Sequence, residues 1–190
     1  MNAILISIQP QWVEKILNGE KTVEIRKTMP KCELPCKVYI YCTKAKNRFD
    51  TCVIHNKNKE KNDYSFCEIG NGKVVAEFTL KNIVKFDIES IIFMGKHKEL
   101  MQKSCLGGLS LRKYLGNKTG YSWGIDKLKI YKKPKALSEF YTIKKCNSCK
   151  ISGYESSACR FDEDCRVPVQ IIKPPQSWCY VNDLEENYEL

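Results

Sequence analysis

Between Gly19 and Lys27 the chain places Lys21, Glu24, Arg26 and Lys27 around Val23 and Ile25. These residue types can bind an anion. Arg26 can fork onto a phosphate or carboxylate, Lys21 supplies a point charge, and Glu24 can hold Arg26 or accept from the amino group of a base. If the segment is a strand, Val23 and Ile25 face a core while Thr22, Glu24 and Arg26 face the other way. The acid and base then form either a solvated surface pair, contributing about 0–1 kcal/mol, or a functional cluster. A second group of reactive side chains is Cys146-x2-Cys149-x9-Cys159-x5-Cys165. Its spacing suits a closed four-thiolate structural zinc site, reduced or buried thiols, or redox use. The two histidines, His55 and His97, form no Ser/His/Asp set and are expected in solvent.

The charged segment needs elements to hold it. Ala3–Ile8 is a β-branched apolar run, expected as a strand. Pro10 suits a helical first turn, Trp12, Val13, Ile16 and Leu17 share one helical face, and Gly19 supplies a left-handed stop. A strand over Thr22–Lys27 follows, then a loop bracketed by Pro30 and Pro35 with Cys32 and Cys36, which could pair or bind metal and, with Pro35 between them, are expected as free thiols. Lys37–Thr43 is a strand with Val38, Ile40 and Cys42 on one face and Tyr39, Tyr41 and Thr43 on the other. Lys44–Asn71 is a polar hairpin excursion, either a solvated loop or a nucleic-acid clamp. Lys73–Leu80 is the returning strand. Phe86–Ser104 is expected to be mostly helical, and Leu109–Gly116 a short helix capped by Ser110 and stopped by Gly116. Tyr121–Tyr131 carries two strand pieces. After Ala136 the cysteines cluster, Pro174-Pro175 leads into a closing strand, and the acidic tail frays. Cys42 and Cys179 lie on strands and are expected to be packed. The pattern predicts an α+β chain with a small, mostly antiparallel β-barrel and two or three helices.

Composition narrows the class. The 190 residues are 43% hydrophobic and 11% aromatic, enough for a globular core. Thirty-two basic against 22 acidic residues give a net charge of +10, which favours polyanionic partners. No run approaches the ~18 apolar residues of a membrane span, and the N-terminal segment lacks the pattern of a secretory signal, so a cytoplasmic location without membrane contact is expected. There the eleven cysteines are not expected to form a disulfide framework.

Strand, Gln-Pro-led helix and Gly19-x-Lys21-x-x-Glu24-x-Arg26 together resemble the ASCH family, whose signature is G-x-K-x-x-E-x-R and whose fold is similar to the PUA domain. Lys37–Lys44, Gly72–Leu80, Gly120–Phe140 and Pro174–Val181 resemble the later strands of phage- and prophage-type ASCH proteins. The resemblance implies a PUA-like barrel over 1–140 and a closing strand, with a tail, over 173–190. It does not cover the polar excursion at 44–71 or the Cys-rich C-terminal insertion over 141–172, a candidate for zinc stabilisation; both are expected from their composition. It implies a basic cleft between the first helix and the barrel that receives RNA or a modified nucleoside. Lys21, Glu24 and Arg26 line that cleft by position; Lys27 and Lys44 extend its basic lining. Tyr39, Tyr41, Trp123 and Trp178 offer stacking faces or pack in the core. Some relatives are amidohydrolases acting on acylated cytidine and others are ribonucleases. An enzyme of that kind would use Lys21 as base, with Glu24 or Glu77 passing the proton on, but Glu24 stands where the amidohydrolases have threonine. A phage protein that binds a host factor is the further alternative.

Overall fold

The computed structural model describes residues 2–44, 51–55, 67–89, 97–116, 118–145 and 166–183. Ten strands and three helices occur among them: β1 (Asn2–Ile8), α1 (Pro10–Leu17), β2 (Val23–Arg26), β3 (Cys36–Cys42), β4 (Val53–His55), β5 (Cys67–Ile69), β6 (Val74–Phe86), α2 (His97–Ser104), α3 (Gly108–Leu115), β7 (Gly120–Lys135), β8 (Tyr141–Lys145), β9 (Arg166–Gln170) and β10 (Trp178–Asn182). The central sheet has the order β10-β1-β3-β6-β7-β2. Only the β1–β3 pair is parallel; the other neighbours are antiparallel.

The closed barrel expected from the sequence is not formed by backbone ladders, because the strand order ends at β10 and β2. Side chains bridge those ends instead. Arg26 on β2 reaches Ser177 just before β10, Trp178 Nε1 donates to Thr28 Oγ1 at 3.0 Å, and the Lys31 backbone N–H donates to the Tyr180 hydroxyl at 2.6 Å. A four-residue β2 leaves few backbone groups to pair, and the connection after it carries the polar atoms that cross the gap.

Alternation along β3 divides the interior. Val38, Ile40 and Cys42 join Ile4, Ile6, Ile8, Phe78 and Trp123 in one core cluster, covered by Val13 and Ile16 of α1. Tyr39 and Tyr41 join Leu5, Val74, Tyr131, Phe140 and Val181 in a second cluster on the opposite face. Burial of these large side chains provides the main driving force for folding. Gly19 at φ +77° ends α1 and Gly116 at φ +64° ends α3, in the left-handed region that glycine adopts without strain.

Several expectations need correction. Phe86 ends strand β6 rather than opening a helix; Ile88 and Glu89 are helical, 90–96 lie outside the described residues, and a helix runs over His97–Ser104. Ser110 lies inside α3, whose N-cap is Gly107. Tyr121–Tyr131 belongs to one long strand, offset where Lys127 adopts φ 47°. The polar excursion has an apolar foot: β4 and β5 pair, and Cys52 and Ile54 are buried in the first core cluster. The described ends of the Cys-rich segment, β8 and β9, pair with each other. Cys146, Cys149, Cys159 and Cys165 lie outside the described residues, so the zinc expectation does too. Among the described residues, no three His, Cys, Asp or Glu side chains gather as metal ligands, and no helix is long and apolar enough to cross a membrane.

Candidate anion-binding cluster

The turn after α1 delivers Lys21 and β2 delivers Glu24 and Arg26. Residues opposite each other in an antiparallel pair share a face. Glu24 pairs with Trp123 and Arg26 with Tyr121, so both charges lie on the face that carries the first core cluster. Val23 and Ile25 face the other way, against a small cluster made with Phe86, Leu111 and Leu115. Both faces of β2 are therefore covered. Lys21, Glu24 and Arg26 are only 2%, 8% and 7% exposed, so the solvated-pair reading does not hold.

Glu24 sits between the two cations. Its Oε2 is 3.3 Å from Lys21 Nζ and its Oε1 is 3.2 Å from Arg26 Nε. Neither contact is aligned as a hydrogen bond, since Glu24 Oε2 and Arg26 Nε both lack a hydrogen-bond partner. The charges attract while some directional bonding capacity stays unused. Lys21 Nζ donates to the Ser104 carbonyl at 2.7 Å, the last residue of α2. That carbonyl lies at the negative end of the helix and has no intrahelical donor, so an ammonium group is well placed there. The Trp12 ring lies 5.5 Å from the same nitrogen. Arg26 Nη2 donates to the Ser7 carbonyl at 2.7 Å and Nη1 to Ser177 Oγ at a long 3.4 Å.

Two buried cations against one buried carboxylate leave one positive charge in excess within the triad. An uncompensated buried charge is costly, and an anion beside it relieves that cost. Trp123 Nε1 is also buried without a hydrogen-bond partner. The unused donors are therefore an indole N–H and the guanidinium Nε–H, a set suited to phosphate or carboxylate oxygen or to a polar base edge.

The sequence-predicted residues separate into groups. Lys21, Glu24, Arg26 and Trp123 are brought together. Trp178 stands at their edge, 5.9 Å from the Trp123 ring and 5.5 Å from that of Tyr180. Lys27 is exposed, with its ammonium 5.1 Å from the Tyr114 ring. Tyr41 is buried in the second core cluster, with Tyr39, because strand alternation turns both to the other side of the sheet. Lys44 lies past the end of β3, its stem beside Gly72. Glu77 pairs with Tyr39 in the ladder and is occupied by the Tyr131 hydroxyl and Lys129, not by Lys21.

Tyr114 was not singled out in the sequence. Tyr114 is 38% exposed as a residue, and partial desolvation of its phenol pushes it above the usual value of 10; the Arg26 charge partly offsets this and the Glu24 charge adds to it. Its place on α3 gave no sign of this, since only the packing of α3 against β2 sets it near the charges. Burial also raises Tyr41. In both cases the folded pKa exceeds the unfolded one, so the unfolded chain ionises first. Stability from these phenols is fully present below about pH 10 and is lost as pH rises beyond it. Urea midpoints measured between about pH 8 and pH 11 should fall less in Tyr41→Phe than in the wild type.

No protein-family model matches the chain, and no curated protein matches it. Its fold is similar to crystal structures of the ASCH protein of Zymomonas mobilis. Two single-substitution mutants both match at a TM-score of 0.55, with 16% and 17% identity, over 98% and 97% of this chain and 95% and 92% of theirs. The ASCH protein itself matches at a TM-score of 0.53 and 17% identity, over 97% of this chain and 90% of its own. At these identities the likeness is one of fold, and the chain has an ASCH-like α+β architecture.

Proposed function

We propose that the chain binds RNA or a nucleotide-like ligand at the Lys21–Glu24–Arg26 cluster and holds it without turning it over. The observation that carries this reading is the buried triad with one cation in excess, beside an indole N–H without a partner. The ligand approaches between Tyr114, Lys27 and Trp178, and one of its oxygens replaces Ser177 in the long contact to Arg26 Nη1. Trp178 and Tyr180, both partly exposed, provide ring faces for a base. The ASCH-like fold and the net charge of +10 agree with such a ligand.

Holding is favoured over amide hydrolysis by what surrounds Lys21. Its nitrogen donates to Ser104 and faces Glu24, so it serves as a fixed donor, and Glu77 is engaged on the opposite face of the sheet. The test is the binding of labelled single-stranded RNA at increasing salt, with acetylated cytidine assayed in parallel for turnover. Affinity should fall on a log–log plot with a slope of about −0.7 for each phosphate contacted. A flat slope removes the nucleic-acid reading. Deacetylation that disappears in Lys21→Ala replaces holding with catalysis.

A further inference from the structure

The connection from β2 to β3 carries Cys32, and its sulfur lies 3.1 Å from that of Cys36 at the start of β3, as a hydrogen-bonded thiol pair. Both are partly exposed. Cys36 opens β3 and pairs with Leu80, so one end of the dithiol is anchored in the sheet. The other end belongs to the loop that bridges the sheet's two edges, where Thr28 binds the Trp178 indole and the Lys31 N–H binds the Tyr180 hydroxyl.

The separation discriminates between chemistries. Zn–S bonds of about 2.3 Å in a tetrahedral site hold their sulfurs about 3.8 Å apart, and no set of three metal ligands gathers among the described residues. A disulfide needs about 2.05 Å, a closure of about 1 Å from the distance seen. We propose that Cys32 and Cys36 are a modification site: a dithiol that forms a reversible disulfide by exchange with a low-molecular-weight disulfide, stapling the loop that holds Trp178 and Tyr180.

The exchange balances. The Cys32 thiolate attacks one sulfur of the small disulfide, forming a mixed disulfide and expelling one thiolate, which takes up the proton Cys32 gave. Cys36, deprotonated in turn, attacks Cys32 Sγ, closes the ring and expels the second thiolate. The protein dithiol loses two electrons and two protons, and the small disulfide leaves as two thiols. Burial, the hydrogen bond to Cys32 and the Cys32 charge push Cys36 up to about 12, which leaves the first attack to Cys32. Cys42 and Cys52, both at 0% exposure, are closed to such a reagent.

The full chain should be equilibrated with oxidised and reduced glutathione, acid-quenched, alkylated and digested with trypsin. Cleavage after Lys31 and Lys37 releases Cys32–Lys37, a peptide holding both thiols and no other cysteine. In the oxidised sample it should be unalkylated and two hydrogens lighter, and dithiothreitol should reverse this. Exchange of the Lys31 amide should slow roughly tenfold in the oxidised protein relative to the reduced one. Cys36→Ser and, independently, Cys32→Ser should abolish both effects. Recovery of the peptide doubly alkylated or carrying glutathione overturns the proposal. So does a closed ring with unchanged Lys31 exchange. Neither measurement involves RNA, so the outcome is independent of the ligand proposed for the charged cluster.

Discussion

Glu24→Ala is expected to destabilise the fold by about 3–5 kcal/mol, because it leaves Lys21 and Arg26 buried with no carboxylate between them. In a chain of this size that corresponds to a fall in Tm of roughly 10 °C or more. An isolated surface pair would change stability by about 0–1 kcal/mol, so the two descriptions differ by several-fold. Thermal and urea denaturation measure it directly. Glu24→Gln keeps the shape and should fall between the two, since the amide still accepts a hydrogen bond but carries no charge. Added sulfate should restore more stability to Glu24→Ala than to the wild type, because an anion can occupy the vacated position between the cations. A loss below about 1 kcal/mol with no rescue by sulfate would mean that the cations do not depend on this carboxylate.

Arg26→Ala is expected to act mainly on binding. It removes one cation and leaves Lys21 and Glu24 as a neutral pair, so its stability cost should be smaller than that of Glu24→Ala. RNA affinity should fall roughly 10- to 100-fold, the equivalent of about 1.5–3 kcal/mol for a hydrogen bond to a charged group. The salt dependence should weaken by about one contact. Arg26→Lys restores the charge and most of that slope. It does not restore the fork that now reaches Ser7, Ser177 and Glu24, so affinity recovers only in part. Anisotropy titrations of the three proteins at several salt concentrations separate these effects. Equal affinities for wild type and Arg26→Ala at every salt concentration would remove Arg26 from the site.

Local patterns were legible in the sequence wherever the physics is local. The alternation in β3 correctly divided Val38, Ile40 and Cys42 from Tyr39 and Tyr41, because side chains on a strand must alternate. Pro10, the apolar face of α1 and Gly19 marked the first helix, because proline suits a first turn and glycine tolerates positive φ. The same reasoning found the stop of α3 at Gly116 but not its start, because Gly107 caps with backbone geometry alone. It missed the length of β6, since a strand continued by a partner's ladder carries no signal of its own.

The charged site was legible only in part. Residue types and spacing placed Lys21, Glu24 and Arg26 together and put Glu24 and Arg26 on one face of a strand. Whether that face met water or protein was not contained in the strand. It depended on β7 setting Trp123 beside Glu24, on α2 presenting the Ser104 carbonyl, and on the end of β1 presenting that of Ser7. Backbone carbonyls have no sequence signature, and Tyr114 enters only through the docking of α3. The sequence by itself determined which charges exist and which of them share a face, because both follow from residue identity and strand geometry. The tertiary structure alone decided that two cations and one carboxylate are buried together, because burial is set by contacts between segments as distant as Arg26 and Ser177.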